Sequence, residues 1–334
     1  MRRNRRWAAL GASLFLFLTA CAGKAPQDTL QPKGDVARRI DNLINPVFIV
    51  AGLVFLLVQG LIVVAVVKFR AKPDSPEPEQ IHGNTRLEVG WTLLPALILL
   101  AVAVPTIKTI FDLAKKPANP INVTVIGHQF WWEYRYTDLG IVTANELRMP
   151  AGRPVELTLN SVDVIHSYWI PPLGGKTDVV PGRNNSMHLE ADKPGEYLGQ
   201  CTEFCGASHA NMRAKAIAMT PADFDTWVAG QRAAAIAPVE GSPAGEGMAT
   251  FLARGCAGCH TIQGVSKGLV GPNLTHFADR TTFAGSIFER NDANLRKWLT
   301  NPQAAKPGNA MIIPGGPLTP DEITKLIGYL NSLQ

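Results

Sequence analysis

Residues 201–212 read Cys201-Thr202-Glu203-Phe204-Cys205-Gly206-Ala207-Ser208-His209-Ala210-Asn211-Met212. Two thiols, an imidazole and a thioether thus lie on one short stretch, a set of soft donors. A second imidazole must come from elsewhere, and His166, in the strand-like run Val164-Ile165-His166, is the best candidate. A Cys201–Cys205 disulfide would suit an oxidising compartment but leaves His209 and Met212 without purpose. A tetrahedral zinc site is geometrically possible, yet zinc has no use for the thioether. A copper pair bridged by two thiolates, with terminal imidazoles and a weak methionine, uses every donor and is the favoured reading.

Around this stretch the texture is β-rich. Ile121–Ile126, Trp131–Tyr136, Val155–Asn160, Val164–Ile170 and Glu196–Leu198 read as strands, with Pro150-Ala151-Gly152 and Pro181-Gly182 as turns. Short strands at this spacing predict a sandwich or small barrel over 118–236, closed by a helix over Pro221–Ala235. A linker rich in Gly and Pro occupies 237–247. The remainder, 248–334, turns helical at Gly245–Arg254, Asn291–Thr300 and Thr319–Leu333.

This last segment opens on Cys256-Ala257-Gly258-Cys259-His260, the attachment signature of a c-type haem. The thiols add to the vinyl groups and the adjacent His260 meets the iron. A redox dithiol or half a zinc ribbon would be the alternatives, but no second cysteine pair remains. Met311, in Lys306-Pro307-Gly308-Asn309-Ala310-Met311, is the leading sixth ligand, with His276 as runner-up.

Upstream, Val47–Val67 and a second run over 91–110 are apolar enough to span a bilayer, giving a helical hairpin within 46–111. Pro95 and Pro105 are tolerable in membrane helices, where neighbouring groups satisfy the freed carbonyls. Residues 21–45 lack periodicity and read as a tether. Ahead of it, Arg2, Arg3, Arg5 and Arg6 precede an apolar run ending in Leu18-Thr19-Ala20-Cys21, a signal peptide over 1–20 with a lipobox-like end that would leave Cys21 lipidated. Positive charge ties across the two flanks of the hairpin, so the signal peptide sets orientation: tether and everything after Phe111 outside, the 68–90 loop inside.

The 334 residues are 46% hydrophobic and 18% charged, which excludes general disorder. The formal charge of +5 falls to near +1 once residues 1–20 are removed, because they carry four Arg and no acid, leaving 28 basic against 27 acidic residues. Nucleic-acid binding has no support. The odd count of five cysteines excludes a closed disulfide framework.

Taken together, segment 40–235 resembles subunit II of a haem–copper cytochrome c oxidase, and 240–334 resembles a fused class I cytochrome c, as in caa3-type oxidases. The resemblance implies a two-helix transmembrane hairpin, a cupredoxin-like all-β sandwich and an all-α cytochrome c domain. It implies a dinuclear copper centre (CuA) held by His166, Cys201, Cys205, His209, Met212 and the Glu203 carbonyl. The Glu203 carboxylate would reach a magnesium shared with subunit I. One covalent haem c, attached at Cys256 and Cys259, would be ligated by His260 and Met311, with the Pro272 carbonyl of Gly271-Pro272-Asn273-Leu274 receiving the His260 N–H. Glu88 falls where the family places a carboxylate at a cytoplasmic proton-channel mouth. Lys176-Thr177-Asp178 and Pro181-Gly182-Arg183 match an interface loop.

The implied function is electron entry from a cytochrome c donor to subunit I, where another polypeptide reduces oxygen and most proton pumping resides. Subunit III and membrane lipid are further implied partners, and the location is a bacterial inner membrane with both cofactor domains outside. The aromatic stretch Phe130-Trp131-Trp132 departs from the family, which usually has Trp where Phe130 stands. That departure implies that the tethered haem, at roughly millimolar effective concentration, has replaced direct docking of a soluble donor on the copper domain. Quinol-oxidising relatives lack the copper ligands. A free-standing copper/haem carrier is the alternative, against which the paired helices argue, since one anchor would suffice. A copper chaperone or sensor would need no haem.

Overall fold

A computed structural model describes residues 25–70, 76–77, 80 and 82–334; the signal segment 1–20 and Cys21 lie outside the described residues. Two long helices come first, α1 (Asp35–Lys68) and α2 (Thr85–Leu113). Most of their apolar side chains are exposed, and none of the described residues covers the two apolar stretches. Helix α1 does not begin at the apolar run but at Asp35, so the tether expected over 21–45 is helical in its second half. Two contacts fix that start: Arg39 pairs with Asp35 one turn back at 2.7 Å, and Val36 and Ala37 are buried against the β-domain. Gly34 permits that approach, since a Cβ there would lie 1.9 Å from the Glu190 carbonyl oxygen. Arg38 then makes a two-pronged contact with Asp192 at 2.7 and 3.0 Å. Helix α2 starts at Thr85, earlier than the predicted 91, because Asn84 caps it by accepting from the Arg86 and Leu87 amides.

The β-domain is a sandwich of two five-stranded sheets. One sheet comprises β1 (Ile121–His128), β2 (Trp131–Tyr136), β3 (Ile141–Ala144), β5 (Val155–Ser161) and β8 (Asn185–Leu189), in the order β3-β2-β1-β5-β8. The other comprises β4 (Glu146–Pro150), β6 (His166–Trp169), β7 (Thr177–Val179), β9 (Gly195–Cys201) and β10 (Arg213–Met219), in the order β4-β10-β9-β6-β7. Along β5 the burial alternates strictly, so Val155, Leu157 and Leu159 fill the inter-sheet core with Trp132, Tyr134 and Tyr168. Helix α3 (Pro221–Arg232) closes the domain through Phe224 and Trp227 and stops short of the predicted Ala235.

The C-terminal region holds α4 (Pro243–Ala253), α5 (Asp292–Thr300), the short α6 (Pro302–Ala305) and α7 (Pro320–Ser332), with two minimal hairpins. Helix α4 takes up the end of the expected linker, started by Ser242, whose hydroxyl accepts from Gly245 N. Helices α4 and α7 approach so closely that a Cβ on Gly247 would lie 2.1 Å from the Lys325 carbonyl oxygen.

Leu157 is fully buried between the two sheets. Leu157→Ala should therefore cost about 2–5 kcal/mol, seen as a lowered thermal midpoint with the membrane helices intact; an unchanged midpoint would contradict the sandwich core.

Candidate electron-transfer site

Antiparallel pairing brings the first ligand cluster together. Strand β9 ends at Cys201 beside β6, with Tyr168 opposite Cys201, and it also pairs with β10. The end of β9, the start of β6 and the start of β10 therefore share one edge of the sandwich. His166 opens β6, Cys201 closes β9 and Met212 immediately precedes β10. Two backbone bonds shut the loop: Cys201 N donates to Met212 O at 2.8 Å, and Thr202 N to Ser167 O at 3.0 Å.

Within this loop His166 Nδ1 lies 3.9 Å from Cys201 Sγ, and the two sulfurs are 3.9 Å apart. That separation is nearly twice the about 2.05 Å of a disulfide; Cys201 and Cys205 are free thiols. His209 Nδ1 stands 3.6 Å and Met212 Sδ 3.9 Å from Cys205 Sγ. Ligand atoms of His166, Cys201 and Cys205 all fall within 4.8 Å of one another, and all three residues are buried. The Glu203 carbonyl sits 3.3 Å from Cys201 Sγ while its side chain is exposed. Two thiols, two imidazole nitrogens and a thioether, with no carboxylate among them, fit a thiolate-bridged copper pair.

The surroundings tune these donors. The hydrogen bond from Cys205, aided by His166, draws the Cys201 thiol well below its usual range against the opposing effect of burial. Burial disfavours charge on His166, but its contacts with Asp163 and Cys201 together outweigh this and raise the pKa. Asp163 Oδ1 lies 2.8 Å from His166 Nε2, which leaves Nδ1 turned toward the thiols. Asp163 escaped the sequence reading; a carboxylate three residues before a candidate ligand histidine was the available signal. Gly127 gives the ring its room, since a Cβ there would lie 2.7 Å from His166 Cδ2.

The second cluster lines a largely apolar cavity in the helical domain. Cys256, Cys259 and His260 form one wall, and Met311 and Trp298 also line it, with Phe251, Leu295 and Leu330 among the apolar lining. His260 Nδ1 is 2.9 Å from the Pro272 carbonyl, the partner expected from the sequence, and the ring touches Gly271, where a Cβ would intrude at 2.5 Å. Burial lowers the His260 pKa, against the opposing effect of the bond to Pro272. Trp298 Nε1 donates to Met311 Sδ at 3.1 Å, orienting the thioether. His276, the runner-up ligand, lines a separate cavity between the domains. Thiols, imidazole and thioether around an apolar slot fit a covalent haem.

The two clusters share a wall. Gln129, Phe130 and Trp131 of the copper-side domain line the haem-side cavity, and Gln129 Nε2 donates to the Cys205 carbonyl. Phe130 is 3% exposed beneath the helical domain, and Trp131 stacks on His128 with centroids 4.1 Å apart. Trp132 is fully buried, edge-on to His166 at 5.8 Å. A polar seam joins the domains. Buried Glu146 accepts from the amides of Thr281 and Thr282 at 2.8 and 2.7 Å and from both hydroxyls. Ser208 Oγ donates to Pro307 O at 2.6 Å, and Arg148 Nη2 to Asp279 O at 2.6 Å. Glu88, far from these clusters, accepts from Asn84 N at 3.2 Å at the start of α2.

Comparison with known proteins agrees with this division. The family profile "Cytochrome C oxidase subunit II, transmembrane domain" matches residues 27–109, its periplasmic-domain counterpart matches 139–218, and "Cytochrome c" matches 244–334. Cytochrome c oxidase subunit 2 of Alkalihalophilus pseudofirmus is 41% identical, the match covering 96% of this chain and 95% of that protein. Its counterpart from Bacillus sp. (strain PS3) is 37% identical over 99% of this chain and 98% of its own. The crystal structure of the periplasmic domain of subunit II of the Bradyrhizobium japonicum cytochrome oxidase is 28% identical, with a TM-score of 0.34, over 35% of this chain and 96% of that one. Near-complete coverage by such relatives, together with both cofactor-type clusters and the paired apolar helices, shows that this two-pass membrane chain belongs to the cytochrome c oxidase subunit II family and carries a C-terminal cytochrome c domain.

Proposed function

We propose that the chain is the electron-entry subunit of a respiratory terminal oxidase, passing electrons from a cytochrome c donor through one covalent haem c and a dinuclear copper centre to the haem of subunit I. The haem and the copper pair would supply reversible one-electron chemistry. The observation that carries the reading is the shared wall, where Gln129 and Phe130 line the haem-side cavity while Gln129 holds the carbonyl of Cys205. His166, Cys201, Cys205, His209, Met212 and the Glu203 carbonyl would hold copper; Cys256 and Cys259 would hold haem covalently, with His260 and Met311 on its iron.

The protein's own contribution is positional. Asp163 fixes which nitrogen of His166 faces the thiols, Pro272 does the same for His260, and Trp298 aims Met311. Such outer partners orient ligands and raise their basicity. Because Phe130 is covered by the chain's own cytochrome domain, a soluble donor would reach the haem domain rather than this face of the copper domain. The exposed Glu203 carboxylate would reach a magnesium at the subunit I interface. In this reading Glu88, besides its bond to Asn84 N, stands at the cytoplasmic mouth of a proton channel. Cys21 would carry lipid, both cofactor domains would face the extracytoplasmic side, and subunit III would complete the assembly.

Three experiments test the reading. Metal and haem quantitation on the full chain purified without its partner subunits should give two coppers and one covalent haem; zinc instead of copper would refute the central assignment. Deleting residues 240–334 should sharply reduce oxidase turnover with a soluble cytochrome c, and undiminished turnover would sink the proposed entry route. Asp163→Asn should weaken copper retention about 10–100-fold, measured by chelator competition, without changing haem content.

A further inference from the structure

Lys306 is 2% exposed and meets no carboxylate among the described residues. A buried lysine without an acidic partner is rare, because removing an ammonium from water is unfavourable unless its hydrogen bonds are replaced. Here carbonyls of both domains replace them. Nζ donates to Phe130 O at 2.6 Å in the copper-side domain and to Ala284 O at 2.7 Å in the cytochrome domain. Burial pushes its pKa down to about 7.

The backbone of the same residue anchors the loop that carries Met311. Lys306 N donates to Pro302 O at 2.9 Å, ending α6. Its carbonyl accepts from Asn309 Nδ2 at 2.6 Å, and Asn309 Oδ1 in turn accepts from Met311 N at 2.8 Å. One residue thus stands a single hydrogen bond from Phe130 and two from Met311.

Glycines let the parts close on each other at this point. A Cβ on Gly285 (φ +75°) would lie 2.3 Å from Lys306 Nζ and 2.7 Å from Phe130 O, and the Gly285 carbonyl accepts from Arg213 N at 3.0 Å. A Cβ on Gly308 would come within 3.2 Å of Ala207, on the ligand loop between Cys205 and His209. The cytochrome domain is therefore seated by backbone-close, directional contacts.

We infer that Lys306 is a positioning residue for electron transfer between the two centres, its ammonium pinning the Met311 loop to the Phe130 carbonyl and so fixing the separation of haem and copper. The inference rests on the electron route proposed above. A flexible tether alone raises the encounter frequency of the domains, whereas the pin selects one orientation among those the tether permits.

The test uses the complete oxidase carrying Lys306→Met or, separately, Gly285→Ala, which crowds the same Lys306–Phe130 contact from a second position of the cytochrome domain. Fully reduced enzyme is mixed rapidly with oxygen, and oxidation of haem c through the copper centre is followed optically. Both variants should transfer electrons between the centres about tenfold or more slowly, because a freed domain samples orientations in which the centres stand farther apart and the geometry for transfer is lost. Turnover should fall with them. The KM for the external cytochrome c, the haem and copper spectra and the haem midpoint potential should stay at wild-type values. Wild-type internal rates in both variants would overturn the inference. So would loss of covalent haem or a shifted potential in Lys306→Met, which would make Lys306 a support of the haem loop. Wild-type oxidase showing no transfer between the centres would defeat the underlying route, and this inference with it.

Discussion

The copper-side geometry depends on the pairing of β9 with β6 on one side and β10 on the other. Antiparallel neighbours place the end of one strand beside the start of the next, so donors separated by 35 residues meet without any long loop having to fold back. The sandwich core holds those strands in register through alternating buried side chains, and a slip by one residue would turn every inward side chain outward. Rigidity at this edge matters because a copper pair that keeps its ligands fixed in both oxidation states has little reorganisation to do on electron transfer. His166 shows the arrangement in miniature: Gly127 clears space for its ring, Asp163 chooses its facing nitrogen, and Trp132 limits its tilt.

A second constraint is the seam between domains, which is polar where most domain cores are apolar. Glu146 accepts four hydrogen bonds from the cytochrome domain and Lys306 donates two while almost completely buried. Burying such groups is unfavourable unless each is satisfied, so a misplaced domain would leave charges stranded. An apolar seam of equal area would hold the domains together with less regard for angle. Directional bonds instead make the observed orientation the low-energy one, and they do so at the wall through which the two redox clusters meet.

The sequence carried the chemistry better than the architecture. The cysteine–histidine motifs were legible because their donors are close in the chain and of a type that soft metals and haem require. The disulfide alternative fell only when the sulfurs were seen 3.9 Å apart. Five strands of the sandwich were missed, β3, β4, β7, β8 and β10, as were the two minimal hairpins of the C-terminal region. Strand β10, Arg-Ala-Lys-Ala-Ile-Ala-Met, has weak intrinsic preference for a strand and is one because β9 and β4 flank it. The early start of α1 was likewise hidden, since its first turn is stabilised by burial on a domain more than 100 residues away. Glu146 and Lys306 gave no local signal, because each reaches partners in the other domain. Met311 and His276 are not separable by local pattern; in three dimensions Met311 lines the cavity with Cys256, Cys259 and His260, and His276 lines another.

Helix α1 has one more consequence. Its 34 residues measure about 51 Å at 1.5 Å per residue, against a hydrocarbon thickness of about 30 Å. The surplus is the stretch whose first turn is clasped by the β-domain through Gly34, Val36 and the Arg38–Asp192 contact. The helix therefore runs without a break from the β-domain into the apolar stretch, with Pro46 removing one backbone donor where the two parts meet. Its first turns thus hold the sandwich beyond the end of the apolar stretch, and the edge that bears His166 and Cys201 is carried by the same continuous element that enters the bilayer.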